Sequence, residues 1–335
     1  MKKMVSYAGN REDVMLRRLF PETPTGFYID VGAGHPLQFS VTKHFYDRGW
    51  RGINVEPAPA SFTELQKDRT RDVNLNVAVS DAEGKAVFYE FPAEYAGWAT
   101  VSREEADRHL EVDGVAFTER EVPVTTLASI CEEHVIGDID FLSIDVEGLE
   151  RQVLAGADFQ RWRPRVCVIE ATVPATTIPT HHKWEGLLTD ARYQFAYFDG
   201  LNRFYVREED SRLLEQFRVP VSCLDEYEPY EYLWQMKYYA RQLAACRVLR
   251  EALAAETEAA RALPEELARQ LAETRARLDE VAAQAPAPRA GDPGPLAVAV
   301  ARRLSGLAIR FPRVADIARL AIRLALKVRR WLTSR

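Results

Sequence analysis

Several apolar segments of this chain end in an acidic residue. Asp30, Glu56, Asp145 and Glu170 each close a run that is typical of a buried β-strand. When strands run parallel, their carboxyl ends lie at one edge of the sheet, and open α/β sheets bind their ligands at that edge. The sequence therefore predicts that these carboxylates gather around a single crevice.

A turn with paired glycines follows the first of these segments. Gly32 and Gly34 lack side chains, so a ligand can approach the backbone closely. Glu56 follows about 20 to 25 residues later, where doubly wound folds place an acid that accepts hydrogen bonds from ribose hydroxyls. His35 and Pro36 replace the rest of a dinucleotide fingerprint, and proline offers no N–H group to a pyrophosphate. The pattern favours a nucleoside without pyrophosphate, such as S-adenosylmethionine, over NAD, although a turn in an unrelated α/β fold is an alternative.

The later acidic residues are candidates for catalysis. Asp145 and Glu147 follow one strand and could orient or deprotonate a hydroxyl group, and the choice of base between them stays open. Helix capping would explain Asp145 alone. Asp145 with Glu170 could instead hold a magnesium ion that lowers the pKa of the hydroxyl. The pair His181–His182 is a further candidate because imidazole titrates near neutral pH, with capping of the next helix as its alternative.

Motifs spread over residues 6–208 resemble those of the FkbM-type methyltransferases. In chain order these motifs are Tyr7–Val14, Tyr28–Ala33, Arg51–Pro57, Ile144–Glu150 and Tyr197–Val206. The resemblance implies a class I Rossmann-like fold and S-adenosylmethionine as the cofactor. One departure is Gly34-His35-Pro36, where such proteins often carry Asn or Asp with another small residue.

The same resemblance implies which residues contact the cofactor. Asp30, Gly32 and Glu56 are expected to bind it, with Gly34 in the same turn. Ser80 and Asp81, after the third strand, are expected near the adenine.

The pattern of strands and helices predicts an α/β fold with a mostly parallel sheet, helices on both faces and an antiparallel edge hairpin turning at Asp199-Gly200. Strands are predicted near 27–31, 52–56, 73–79, 86–91, 120–124, 139–144, 165–170, 193–198 and 203–207. Helices are predicted near 39–48, 59–67, 125–134, 149–155 and 182–190. Residues 92–119 fit neither pattern, which predicts a lid or a substrate loop.

Composition divides the chain into further regions. We predict a methyltransferase domain over 1–225, a helical or coiled-coil segment over 226–285, a Pro/Gly linker over 286–295 and a basic amphipathic helical tail over 296–335. The seam of Leu267, Leu271, Thr274, Leu278 and Val281 has coiled-coil spacing. It predicts a homo-oligomer, an antiparallel helical hairpin or a helix packed on the catalytic domain. Pro264 is expected to begin a new helix.

The tail suggests a location for the protein. Residues 296–335 hold ten Lys or Arg and one Asp, although the whole chain has a net charge of −6. A helix that is basic on one side and carries Leu and Trp on the other suits an anionic membrane surface, or equally the acidic body of this chain or a partner such as a glycosyltransferase. Nucleic acid is disfavoured because the catalytic region lacks a basic stripe. With no signal peptide, no apolar span and four widely spaced cysteines, the sequence predicts a cytoplasmic protein, peripheral on the inner face of the membrane.

The resemblance and the tail together predict an O-methyltransferase. Its expected acceptor is a sugar hydroxyl of a surface polysaccharide or of its lipid-linked precursor. One rival is an O-methyltransferase that tailors a small secondary metabolite. Another is an inactive methyltransferase-like scaffold that recruits glycosyltransferases to the membrane.

Overall fold

A computed structural model describes residues 3–21, 23–174 and 176–283. In chain order the strands are β1 (Met4–Ser6), β2 (Phe27–Val31), β3 (Arg51–Val55), β4 (Val73–Leu75), β5 (Ala78–Ser80), β6 (Gly84–Glu90), β7 (Thr118–Thr126), β8 (Phe141–Ile144), β9 (Val166–Glu170), β10 (Tyr193–Phe198), β11 (Asn202–Arg207) and β12 (Tyr227–Pro229). The helices are α1 (Glu12–Leu19), α2 (Lys43–Asp47), α3 (Pro59–Asp68), α4 (Arg103–Val112), α5 (Leu127–His134), α6 (Glu150–Ala155), α7 (Glu185–Asp190) and α8 (Tyr230–Ala283). Short 3-10 helices cover Ala93–Trp98, His181–Lys183, Glu208–Phe217 and Cys223–Asp225.

The main sheet has the strand order β10-β11-β9-β8-β2-β3-β4. The strands from β9 to β4 run parallel, whereas β11 is antiparallel to both β9 and β10. The predicted α/β fold with an antiparallel edge hairpin is therefore confirmed. The strands that carry Glu170, Asp145, Asp30 and Glu56 are immediate neighbours, so their carboxyl ends form one continuous edge.

Apolar cores cover both faces of this sheet, because successive side chains of a strand point to opposite sides. On one face, Ile29, Val31, Leu142 and Ile144 pack against residues of α5, α6 and α7. On the other face, Tyr28 and Phe141 pack against residues of α1 and α2. Helices on both faces hold the strand ends in fixed positions.

A second sheet corrects one strand prediction. The sequence predicts a single strand over 73–79, but the chain forms β4 in the main sheet and β5 in a separate sheet of order β5-β7-β6. Asn76 lies between them, and its side-chain amide donates to the carbonyl oxygens of Glu56 (2.8 Å) and Pro57 (2.9 Å). These hydrogen bonds fix the change of direction, which hydrophobic pattern alone does not reveal.

Two helical regions also differ from the prediction. Helix α1 was not predicted, because its first turn is acidic and Glu12 and Asp13 are nevertheless buried. Residues 92–119 are not a plain loop, since they contain a 3-10 helix and α4. Ser102 begins α4 by accepting a hydrogen bond from the backbone N–H of Glu105.

The C-terminal region is helical as far as the structure describes it. The chain divides after Arg241 into two compact units. Helix α8 is continuous through Pro264, where the sequence predicts a new helix. The fixed φ angle of proline is compatible with a helix, although the residue offers no N–H donor and its ring crowds the carbonyl oxygen four residues earlier. The boundaries at 225 and 285 and the coiled-coil pairing stay predictions, and the linker and basic tail lie outside the described residues. In the described part of the chain, no helix is both long and apolar enough to cross a membrane.

Candidate active site

A pocket of about 480 Å³ opens at the carboxyl ends of β2, β3 and β8. From β2 the chain continues to β3 on one side, and it later returns to β8 on the other. Open α/β sheets bind ligands at this change of direction. The pocket walls include the turn Gly32–Gly34, the acids Glu56, Asp145 and Glu147, and the segment 94–101.

The turn after β2 requires glycine. Gly32 has φ +85°, and a Cβ atom there would lie 1.8 Å from the carbonyl oxygen of Asp145. The N–H groups of Gly32 and Ala33 both donate to the carbonyl oxygen of Val55, at 3.0 and 3.1 Å. The turn is thus fastened to β3 on one side and packed against the chain after β8 on the other, and its bare backbone faces the pocket.

Glu56 closes β3 and lies at the pocket wall. Its carboxylate accepts hydrogen bonds from the backbone N–H groups of Gly34 and Ala58, both at 2.7 Å. Burial raises the pKa of this carboxyl to about 7, while the two N–H donors oppose the rise. Each carboxylate oxygen keeps a lone pair that can accept a ribose hydroxyl.

The His35-Pro36 departure from the family pattern forms an ordered turn. The Nδ1 atom of His35 accepts hydrogen bonds from the backbone N–H groups of Leu37 and Gln38, both at 3.0 Å. Its proton is therefore on Nε2, which lies 3.1 Å from the carboxylate of Glu64. His35 lines the pocket beside the glycine turn.

Asp30 lies behind the pocket rather than in its wall. It is one residue before the end of β2, so its side chain points to the face covered by α2, where it accepts a hydrogen bond from Thr42 (3.0 Å). Arg69 continues this buried network by donating to Ser40 (2.8 Å) and to the carbonyl oxygen of Pro36 (2.8 Å). Burial raises the pKa of Asp30 to about 6. This network supports the turn Gly32–Gly34 from the side away from the pocket. Direct contact of Asp30 with a cofactor stays a prediction.

Asp145 and Glu170 form a hydrogen-bonded pair of carboxyl groups. The side chain of Asp145 is exposed at the pocket wall, whereas Glu170 is buried behind it. Burial, and then the charge of Asp145, raise the pKa of Glu170 to about 11. Burial also raises the pKa of Asp145, while the hydrogen bond with Glu170 opposes the rise.

Glu147 is the third acid of this group and also lines the pocket. Its φ angle of +53° is left-handed, an uncommon conformation outside glycine that turns the chain toward α6. Its carbonyl oxygen accepts a hydrogen bond from Thr100 at 2.9 Å. Burial and then the neighbouring Asp145 raise the pKa of Glu147 well above its usual range.

The remaining predicted site residues lie outside the pocket wall. Ser80 and Asp81 follow the wall residues Val77–Val79, and the Ser80 hydroxyl donates to Asp81 at 3.2 Å. His182 is exposed in the 3-10 turn His181–Lys183 and does not line the pocket. Their roles stay predictions.

One wall of the pocket comes from the segment that the sequence predicts as a lid or a substrate loop, although none of its residues was among the predicted site residues. Glu94, Ala96, Gly97 and residues 99–101 of this segment line the pocket together with Phe88. Trp98 supports this wall by stacking on His109 of α4, with ring centroids 4.1 Å apart and planes within 8°. The sequence does indicate that this segment is packed rather than a free loop, because it and its neighbours contain several large aromatic residues that form one cluster: Tyr89, Phe91, Trp98 and Phe117.

The pocket fits a nucleoside better than a metal. Among the described residues, no group of three or more His, Cys, Asp or Glu is placed to hold a metal ion. The predicted magnesium therefore stays a prediction. In contrast, the glycine turn gives a ligand access to the backbone, Glu56 offers acceptors to ribose, and Val55, Val77 and Val79 provide apolar surface for a base. This donor set suits S-adenosylmethionine.

The part of the chain that forms the pocket matches a known protein family. Residues 30–195 match the family model described as the Methyltransferase FkbM domain. No curated protein matches the chain. A TehB-like SAM-dependent methyltransferase from Corynebacterium glutamicum is 11% identical with a TM-score of 0.32, and the alignment covers 58% of this chain and 88% of that one. The precorrin-6y C5,15-methyltransferase of Geobacter metallireducens is 12% identical with a TM-score of 0.31, covering 62% and 91%.

The two solved structures are too distant to bear on function, whereas the family match spans β2 to β10 and therefore the whole pocket edge of the sheet. Through residues 30–195, the chain belongs to the FkbM family of S-adenosylmethionine-dependent methyltransferases.

Proposed function

We propose that this chain is an O-methyltransferase that methylates a sugar hydroxyl of a surface polysaccharide or of its lipid-linked precursor. The observation that carries the reaction type is the position of the Asp145 carboxyl group, which lies in the pocket wall beside the glycine turn. A hydroxyl acceptor must lose its proton during methylation, and a carboxylate within reach can accept it.

The charge of the pocket supports an acceptor without phosphate at its reacting end. The lining includes the carboxyl groups of Glu56, Glu94, Asp145 and Glu147. No lysine or arginine is among the described residues that form it. A phosphate group at the reacting end of the acceptor would be repelled here, whereas a neutral sugar hydroxyl would not.

The chain's own residues have distinct proposed roles. Glu56 accepts the ribose hydroxyls, and the backbone of Gly32 and Gly34 gives the ligand close access. When bound, S-adenosylmethionine supplies a methyl group on a positively charged sulfur. Asp145 orients the acceptor hydroxyl and takes its proton, with Glu147 as the alternative base. Alignment of the acceptor with the methyl group accounts for much of the expected acceleration.

The polysaccharide acceptor is supported by sequence rather than by the pocket. A basic amphipathic tail over 296–335 suits an enzyme held at an anionic membrane surface, where lipid-linked sugars are assembled. Liposome flotation of the full chain and of a truncation after Pro295 measures this. We expect only the full chain to float with anionic vesicles, and flotation of neither would contradict the membrane proposal.

Methyl transfer from labelled S-adenosylmethionine tests the reaction. Lipid-linked oligosaccharides, soluble polysaccharide and small hydroxylated metabolites are offered separately. We expect a base-stable methyl ether on a sugar, with a rate that falls about 10²- to 10⁴-fold in Asp145→Asn. Label only in a metabolite would favour the tailoring enzyme, and label in an amine or ester would contradict O-methylation. Bound cofactor with no acceptor of any class would favour the scaffold.

A further inference from the structure

A phenylalanine in the pocket wall is exposed rather than packed in a core. Phe39 lines the pocket, and its exposed fraction is 71%. Its φ angle of +60° is left-handed, a conformation that is costly for a bulky side chain. Costly backbone conformations persist only where the surrounding structure enforces them, and they are concentrated at sites that bind ligands. Packing in a core does not explain this ring, so we looked for a ligand that it could contact.

The chain around Phe39 is held in place by several contacts. Its backbone forms a β-bridge with Ala8, and its ring lies against Gly9, where a Cβ atom would come within 3.2 Å of the ring. The next residue, Ser40, is buried and accepts a hydrogen bond from Arg69 at 2.8 Å. An ordered stretch of chain therefore presents the ring to the pocket.

Phe39 lies on the side of the pocket away from the proposed ribose site. Glu56 follows β3, which is on one side of β2, whereas β8 and β9 are on the other side. The N-terminal segment that pairs with Phe39 continues to Asn10, whose side chain donates to the carbonyl oxygen of Asp199 at 3.2 Å, in the turn between β10 and β11. Since β11 is next to β9, this segment lies on the side of β8, whose following residue Asp145 is the proposed base.

The chemistry of this part of the pocket suits a sugar ring. The C–H groups on one face of a pyranose carry small positive charges and the face of an aromatic ring is negative, so the two faces attract each other. Carboxyl oxygens accept hydrogen bonds from sugar hydroxyls, and the carboxyl groups of Glu94, Asp145 and Glu147 line the same pocket. A neutral sugar presents both kinds of surface, and the pocket offers a partner for each.

We propose that Phe39 is the platform on which a pyranose ring of the acceptor stacks, so that a hydroxyl group of that ring is held toward Asp145. This inference rests on the proposed function and assigns the acceptor subsite that the function requires. The platform contributes affinity for the sugar and none for the cofactor. Its loss should therefore raise the KM of the sugar acceptor and leave the binding of S-adenosylhomocysteine unchanged.

Saturation-transfer NMR of the full chain with bound S-adenosylhomocysteine tests the platform. The probes are the methyl glycosides of mannose, glucose, galactose and rhamnose, and p-cresol represents a planar metabolite. We expect saturation of the ring C–H protons of at least one glycoside in the wild type. Phe39→Ala and Phe39→Leu should weaken its binding roughly 2- to 10-fold because the aromatic face is lost, whereas Phe39→Tyr keeps that face and should bind as the wild type does.

Two further variants separate binding from folding. Phe195→Ala is the matched control, because Phe195 is an exposed ring on β10 that does not line the pocket, and it should bind the glycoside as the wild type does. Phe39→Gly also removes the ring, but glycine adopts the left-handed conformation without strain. It should therefore weaken glycoside binding as Phe39→Ala does, with a Tm at least as high.

The results that overturn the platform differ from those that overturn the function. Saturation of no glycoside in the wild type, saturation of p-cresol alone, or unchanged glycoside binding in Phe39→Ala would each reject the platform. A tenfold loss of S-adenosylhomocysteine affinity in Phe39→Ala would reject it too, because the ring would then belong to the cofactor site. Methyl ether formation on a sugar with the wild-type KM in Phe39→Ala would keep the function and reject the platform. If the wild type does not bind S-adenosylhomocysteine, both proposals fail.

Discussion

Replacing Gly32 with alanine tests whether the turn Gly32–Gly34 requires glycine. The φ angle of Gly32 is +85°, and the new Cβ would lie 1.8 Å from the Asp145 carbonyl oxygen and 2.9 Å from its carbonyl carbon. Cβ atoms essentially never approach another atom closer than 3.0 Å. The turn and the chain after β8 would have to separate, and both contribute to the pocket wall.

The expected cost has two parts. The left-handed conformation costs an alanine about 1–2 kcal/mol. Forced separation of packed backbone adds about 1–3 kcal/mol, as overpacking does in protein cores. Gly49→Ala is the matched control: Gly49 has φ +97°, but nothing lies within 4 Å of the position that a Cβ would take there, so only the first part applies.

Thermal unfolding and calorimetry with S-adenosylmethionine separate the two variants. At about 2–4 °C per kcal/mol for a domain of this size, Gly32→Ala should lower Tm roughly twice as much as Gly49→Ala. It should also weaken cofactor binding at least about tenfold, because Asp145 moves, whereas Gly49→Ala should bind as the wild type does. Equal Tm values with unchanged binding in both variants would refute the contact between Gly32 and Asp145.

Further predictions concern the supports around the site. Burial raises the pKa of Glu12 from 4.5 to about 8, so the folded protein keeps a proton that the unfolded chain loses as pH rises through this range. The free energy of unfolding should therefore fall between pH 5 and 8; Glu12→Gln should flatten this fall in urea denaturation, and an unchanged slope would contradict it. His109→Ala removes the ring that supports Trp98, so amide hydrogen exchange in 93–101 should accelerate, and unchanged protection there would show that the stack is dispensable. Arg69→Met leaves the buried acceptors of the turn unpaired and should cost about 3–5 kcal/mol in denaturant unfolding, whereas a cost below about 1 kcal/mol would contradict that role.

The sequence predicts the main sheet well because its strands are apolar and end at marked turns. Glu56 and Asp145 meet in one pocket because adjacent parallel strands present their ends together, which requires no knowledge of side-chain contacts. Asp30 and Glu170 belong to the same edge but lie behind the wall. Their positions depend on which face of the sheet a side chain points to near the end of a strand, and a shift of one residue reverses that face.

What could not be predicted depends on contacts between distant segments. The split between β4 and β5 follows from hydrogen bonds of Asn76 to residues 56 and 57. The wall formed by 94–101 depends on Trp98 packing on α4, a contact that no local periodicity indicates. Helix α1 buries two carboxyl groups, so its polar sequence resembles a loop.

A crystal structure of the protein with S-adenosylmethionine tests the central claim most directly. The account predicts that the ribose hydroxyls lie within hydrogen-bond distance of the Glu56 carboxylate, and that the positive sulfur lies on the side of the glycine turn where Asp145 opens into the pocket. A nucleoside bound elsewhere, or one bound in this pocket without contact to Glu56, would contradict it.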